Sequence, residues 1–398
     1  MDKQIRTARF AATADLLKRY VERGDVAGAA AYVAQNGKTL HRQYEGYADI
    51  EAGKKIADDT IYRIFSMSKV ITSVAVMQLY ERGLFKMYDP VENFLPGFKN
   101  QQVFKEVEPG KFETVSAERP VVMRDLFTMT SGIPYPGDGS PAARTYADRI
   151  QRMEAISGDG RLFGAVELMN LIGLAPLDFH PGTQWEYGFS IDVLGAVLEV
   201  ISGKSLGEYL RCNVTGPLGM CDTGFYLTPE QLPRLSKLYH SEGGRLSEAA
   251  EDESFLISAA LEKPTFESGG GGLFSTLEDY GRFAQMLLGG GTLDGVRILG
   301  RKTVDLMRTN HLTPRQRVTD NWDSQRGYGY GLGVRVRMEN EVAGSNGSIG
   351  EWGWDGMAGT WFCVDPVENM IALFLVQRVP GDHGNLVPPY MATVYSAL

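Results

Sequence analysis

From Ser66 to Arg82 the chain is apolar on nearly every face. Val70, Ile71, Val74, Ala75, Val76, Met77 and Leu79 leave no polar stripe wide enough to meet water. A helix of this kind is stable only between two layers of protein, so the fold must supply structure on both sides of it. Gly83 follows, as expected of a helix stopped by a left-handed cap. Ala29 to Ala34 and Thr39 to Tyr47 read as two strands joined by Asn36-Gly37, a pair that tolerates positive φ and suits a tight hairpin. Strand-like segments return only beyond the run Gly269-Gly270-Gly271-Gly272: Tyr328 to Arg337, Thr360 to Val364 and Met370 to Val376, with a closing helix near Pro389 to Leu398. From about Pro90 to Pro264 the pattern is helices and long loops, turn-rich at Glu108 to Gly110 and at Pro134 to Ser140. The chain thus reads as an α/β (α+β) protein. Residues 1–90 and 265–398 build an antiparallel sheet flanked by helices, and residues 91–264 form an inserted, mainly helical domain.

Composition narrows the function classes. With 398 residues, 43% of them hydrophobic and 22% charged, the chain can bury a large core and shows no signature of disorder. Its 40 basic and 49 acidic residues give a formal charge of −9 with no basic block, which argues against nucleic acid or an anionic membrane as partner. Met1 to Arg6 open a polar, amphipathic helix without an apolar signal core, and no stretch approaches the ~18 apolar residues of a membrane span, so the expected location is the cytoplasm. Three cysteines, Cys212, Cys221 and Cys363, are expected to be free thiols. The five histidines, His41, His180, His240, His311 and His383, lie far apart, so neither a metal nor another cofactor is expected. The sequence leaves the oligomeric state open.

Ser66-Met67-Ser68-Lys69 sets a hydroxyl and an ammonium three residues apart, on one face of a helix and within reach of each other. A serine hydroxyl needs a base to act as nucleophile at neutral pH. A lysine serves only if burial or charge lowers its pKa from the usual ~10.4. Ser66 also stands at a helix start, where unpaired backbone N–H groups favour developing negative charge. Ser-x-x-Lys alone arises by chance roughly once in a chain of this size, so the surrounding sequence decides.

Ile61 to Val70 resembles the active-site motif of serine β-lactamases, penicillin-binding proteins and their esterase relatives. Further matches follow in that family's order. Arg124 to Gly132 resembles its Leu-Leu-Thr-His-Thr-Ser-Gly stretch, with Met129 where histidine is usual. Pro181 to Tyr187 resembles the segment delivering the second catalytic element, Pro217 to Thr223 a further turn, and Gly269 to Phe283 a glycine-rich entry to a helix. The resemblance spans about residues 10 to 380 and is nearest to family VIII carboxylesterases of the class C β-lactamase branch.

The resemblance implies that Ser66 is the nucleophile, with Lys69 and Tyr187 managing protons, a neighbouring ammonium favouring the Tyr187 phenolate. The family triplet Tyr-x-Asn reads Tyr187-Gly188-Phe189 here, so the amide that contacts a lactam side chain is missing. The third element, Lys-Thr-Gly in lactamases, reads Trp354-Asp355-Gly356. Trp354 is expected to offer an apolar face to a neutral acyl or alkoxy group, while Asp355 would repel an oxyanion unless turned away or paired. The resemblance further implies an oxyanion hole made by the Ser66 and Met357 amides, with Trp354, Asp355, Gly356, Phe189, Trp185 and Tyr135 as substrate-binding residues. Trp185, Phe225, Trp352 and Trp361 are candidates for an acyl pocket, although aromatic residues at such spacings are more often core.

The expected function is a serine carboxylesterase acting on small neutral esters through an acyl-enzyme, with a small-molecule ester as partner and weak β-lactam turnover as a side activity. Its rivals are a β-lactamase or D-Ala peptidase, disfavoured by the absent Asn and Lys, an acyltransferase sharing the acyl-enzyme, and a non-catalytic binding protein. No Gly-x-Ser-x-Gly elbow occurs, so the α/β-hydrolase route to an esterase is closed.

Overall fold

The hairpin at Asn36-Gly37 forms as the dipeptide demands, with φ of 53° and 70° at the two residues. It joins β1 (Gly28–Gln35) to β2 (Lys38–Asp49) at the heart of one sheet. The computed structural model describes residues 9–157, 163–249, 260–318 and 325–398, so the expectation for Met1 to Arg6 lies outside the described residues. The remaining strands of that sheet are β3 (Lys54–Lys55), β4 (Tyr328–Tyr330), β5 (Arg335–Arg337), β6 (Trp352–Asp355), β7 (Trp361–Asp365) and β8 (Met370–Val376). All pairs are antiparallel and the order is β4-β5-β6-β7-β8-β1-β2-β3, so strands from the two ends of the chain meet at the β8–β1 pair.

Strand alternation divides the sheet into two faces. Ala30, Tyr32, Trp352, Trp354, Phe362, Leu373 and Leu375 enter the larger core, whereas Ala29, Ala31, Trp361, Cys363, Ala372 and Phe374 enter the smaller one. The smaller core is closed by α1 (Ala11–Glu22) and the C-terminal helix His383–Tyr395. There Tyr20 donates to Leu386 O (2.8 Å) and Phe374 stacks on Tyr390 at 5.0 Å. The larger core holds α2 (Ser68–Glu81), buried at every position from Ser68 to Met77, as an all-apolar helix requires. Two further helices pack around it, α3 (Ser190–Ser202) against its helical side and α4 (Leu277–Leu288) between it and the sheet.

Three expectations are corrected. Tyr328 to Arg337 is two strands rather than one, reversed at Gly331-Leu332-Gly333. A Cβ on Gly331 would stand 2.0 Å from Met307 O, and one on Gly333 2.2 Å from Ser73 Oγ, so only glycine lets this turn pass. The closing helix begins at His383 and runs through Pro388 and Pro389 to Tyr395, whereas the sequence reading starts it near Pro389. The middle of the chain also carries two β-hairpins, Gln102–Glu108 with Lys111–Ser116 and Tyr239–Glu242 with Arg245–Glu248. Tyr239 and His240 pair in parallel with Arg378 and Val379, which ties the middle of the chain to its C-terminal part. No helix among the described residues is long and apolar enough to cross a membrane.

Candidate active site

Ser66 is delivered by a strand and a tight turn. Ile61–Arg63 pairs with Phe274–Thr276, and the chain then closes a single 3-10 turn, Phe65–Met67, before α2 begins. Phe65 holds a left-handed backbone at φ 43°, a conformation costing ~1–3 kcal/mol for such a residue. Its ring is 1% exposed and packs with Leu238 and Ala358, which offsets that cost. Ser66 is thereby raised to the edge of the core while Lys69, three residues on, is fully buried.

The Lys69 amine touches three oxygens: Ser66 Oγ at 2.9 Å, Tyr135 Oη at 2.8 Å and Gly270 O at 2.5 Å. It also lies 4.5 Å from the ring centre of Tyr187 and 5.4 Å from that of Tyr135. Burial pushes its pKa down from 10.5 to about 7, against the opposing pull of the Asp192 and Asp355 carboxylates. Lys69 is therefore a base available at neutral pH, poised on the hydroxyl it would deprotonate.

Tyr187 is hydrogen-bonded to Ser66, and its phenol oxygen accepts the indole N–H of Trp354 at 3.2 Å. Its charge state corrects the sequence-based expectation. Burial drives the Tyr187 pKa far above the ordinary tyrosine value, further than its two hydrogen bonds lower it, so the phenol stays protonated at neutral pH. A neutral phenol passes a proton on; it does not take the first one. The segment that carries Tyr187 is fixed by the stretch around Met129, where Met129 O accepts Glu186 N–H (2.9 Å), Thr130 O accepts Gly182 N–H (2.7 Å) and the Ser131 and Ser190 hydroxyls meet at 2.8 Å.

The other sequence candidates divide into those that reach this cluster and those that do not. Trp354 is fully buried under Tyr187, its ring 5.7 Å from the phenol ring, so it supports the tyrosine and presents no open face for an acyl group. Asp355 is its neighbour on a strand and must point to the opposite side of the sheet. There it pairs with Trp361 in register and its carboxylate binds Arg335, which resolves how a carboxylate stands so near the nucleophile without facing it. Gly356 is required as glycine, because a Cβ would lie 2.2 Å from Thr360 Oγ1 and 2.4 Å from Ile64 O. That contact lays the Gly356-Met357 backbone against the turn bearing Ser66. Neither the Ser66 nor the Met357 amide donates a hydrogen bond within the described residues.

Phe189 is 1% exposed and packs edge-on behind Tyr135 at 5.0 Å, and Trp185 stacks on Tyr187 at 6.3 Å. Tyr135, read from the sequence as a substrate contact, is bound to Lys69. Trp361 lies on the far face of the sheet against Tyr390, while Trp352 and Phe225 are buried in the larger core, so these three do not line an acyl pocket. Two parts of the cluster escaped sequence reading: the carbonyl of Gly270, in a run read only as a glycine-rich entry to a helix, and Asp192 behind it.

Comparison with known proteins places the chain in a family. The family model described as Beta-lactamase matches residues 13–394. Protein Rv1367c of Mycobacterium tuberculosis is 33% identical over 371 residues, covering 92% of this chain and 89% of the relative. Esterase EstB of Burkholderia gladioli is 33% identical over 267 residues, covering 63% of each. Among solved structures, EstCE1, described as a hydrolase with promiscuous acyltransferase activity, superposes with a TM-score of 0.81 at 24% identity, over 98% of this chain and 99% of that one.

Proposed function

Since this chain belongs to the β-lactamase family, we propose that it is a serine hydrolase of the family VIII esterase kind, which hydrolyses small neutral carboxylic esters through an acyl-enzyme on Ser66. Neutral Lys69 takes the Ser66 proton as Oγ attacks the ester carbonyl. The tetrahedral oxyanion lies on the amides of Ser66 and Met357, each donor contributing ~3 kcal/mol in comparable sites. The carbon–oxygen bond to the alcohol then breaks, and Tyr187 hands its proton to the departing oxygen while Lys69 returns one to Tyr187. Water repeats the sequence in reverse and releases the acid.

The observation that carries the ester reading is the Trp354 indole bonded to Tyr187. A neutral, buried aromatic stands where a lactamase keeps a cation for the substrate carboxylate, and Phe189 stands where it keeps an amide. Uncharged substrates match such a site better than penicillins do. The relatedness to EstB supports the same reading. Acyl transfer is the second reading, favoured by the likeness to EstCE1 and differing only in whether water or an alcohol meets the acyl-enzyme.

The test is hydrolysis of p-nitrophenyl esters from acetate to octanoate, with nitrocefin alongside, by native protein and Ser66→Ala. Turnover of short esters, a Ser66 acyl adduct by mass spectrometry and an inactive alanine variant are expected. A kcat/KM higher for nitrocefin than for every ester would overturn the proposal. Product release accelerated by an added alcohol, with an ester of that alcohol formed, would establish transfer.

A further inference from the structure

Asp192 stands on α3 with 1% of its surface exposed and takes no step in the reaction above. A carboxylate at that depth is retained against a large solvation cost, so its partners identify its use. Oδ1 accepts the Ser268 hydroxyl at 2.6 Å and the Gly270 N–H at 3.0 Å. Oδ2 accepts no hydrogen bond within the described residues. A Cβ on Gly270 would stand 2.2 Å from Oδ2, so the glycine-rich turn rests directly on the carboxylate. The same glycine that gives its N–H to Asp192 gives its carbonyl to the Lys69 amine. Thr72 of α2 braces the turn from the other side through Gly269 O at 2.9 Å.

We propose that Asp192 is a positioning residue for Lys69: it fixes the turn whose carbonyl aims the amine at Ser66, and holds a carboxylate behind that turn. The inference rests on Lys69 being the base for Ser66. The titratable groups that act on Lys69 are Asp192 from α3, Tyr135 and Tyr187 from the loops beside it, and Asp355, whose charge reaches the amine from the far side of the sheet. The tyrosines are neutral at working pH, since burial pushes both upward. Asp192 is then the largest opposing influence on the burial that depresses Lys69, ahead of Asp355. Asp192 is itself raised by burial and drawn back first by Lys69.

Asp192→Asn keeps an acceptor for the turn and removes the charge. The acidic limb of kcat/KM for p-nitrophenyl acetate should move to lower pH by about one unit. Ser268→Ala keeps the charge and loosens the turn. It should lower kcat at least tenfold and leave the limb in place. Labelling of Ser66 by a p-nitrophenyl phosphonate is read in parallel. If Ser66 is labelled and the limb of Asp192→Asn coincides with that of the native enzyme, this inference fails while the assignment of the nucleophile stands. If native Ser66 is not labelled, both fail. Should Asp192→Asn not fold, Ser268→Ala decides, and a kcat within twofold of native at every pH would overturn the proposal.

Discussion

Lowering the pH through neutrality perturbs one group at the centre of this site, and the structure sets the size of the effect. Lys69 is fully buried, and its fall from 10.5 to about 7 corresponds to a net of about 5 kcal/mol against the ammonium, burial outweighing the attraction of Asp192 and Asp355. Only the amine can take the Ser66 proton. Below about pH 6, kcat/KM for a short neutral ester should therefore fall tenfold per unit of pH, and above about pH 8 it should be level. The assay is release of p-nitrophenol, read at a pH-independent wavelength, with substrate well below KM so that the free enzyme titrates. Glu186, beside Tyr187 in sequence, is itself raised by burial and by Asp178, so Glu186→Gln is run in parallel and should leave the limb unmoved. Lys69→Arg should abolish the limb along with most of the activity, a loss of about 10²–10⁴-fold, because a guanidinium does not deprotonate. An acidic limb near 4, or one near 10, would refute the reasoning. The first would make a carboxylate the base, and the second would mean that burial does not depress Lys69.

The same burial predicts a stability cost. The Lys69 pKa is lower folded than unfolded, so the unfolded chain binds more protons between about pH 7 and 10.5, and stability rises with pH across that window. Lys69→Met should be more stable than native by about 1–4 kcal/mol at pH 7 in urea denaturation, the gain shrinking as pH approaches 10; equal stability at pH 7 would contradict it. Arg335→Ala leaves the Asp355 carboxylate without its partner behind the sheet and should cost about 3–5 kcal/mol, whereas Arg335→Met with Asp355→Leu should be near neutral in the same measurement. Trp354→Phe keeps a ring under Tyr187 and removes its donated N–H. A hydrogen bond worth about 1 kcal/mol predicts a roughly fivefold drop in kcat with KM little changed, and a change confined to KM would return Trp354 to a substrate-contacting role.

The parts of this protein legible in its sequence are those set by short-range geometry. Three residues of helix bring Lys69 to Ser66, Asn36-Gly37 turns a hairpin, and the apolar run after Ser66 demands burial whatever surrounds it. The run Tyr328 to Arg337 misled because its glycines hide a reversal that only the contact with α2 and Met307 makes necessary. The tertiary structure decided what depends on distant partners and on depth. Lys69 meets a carbonyl 201 residues away, and the glycine bearing that carbonyl gives its N–H to a carboxylate 78 residues before it, a juxtaposition no local pattern encodes. Burial makes the lysine an amine and keeps the tyrosine a phenol, reversing the roles that charge proximity alone assigns. Register gives Trp354 to the site and Asp355 to the far side of the sheet, because successive side chains on a strand alternate and the pairing with Trp361 fixes which of the two faces inward.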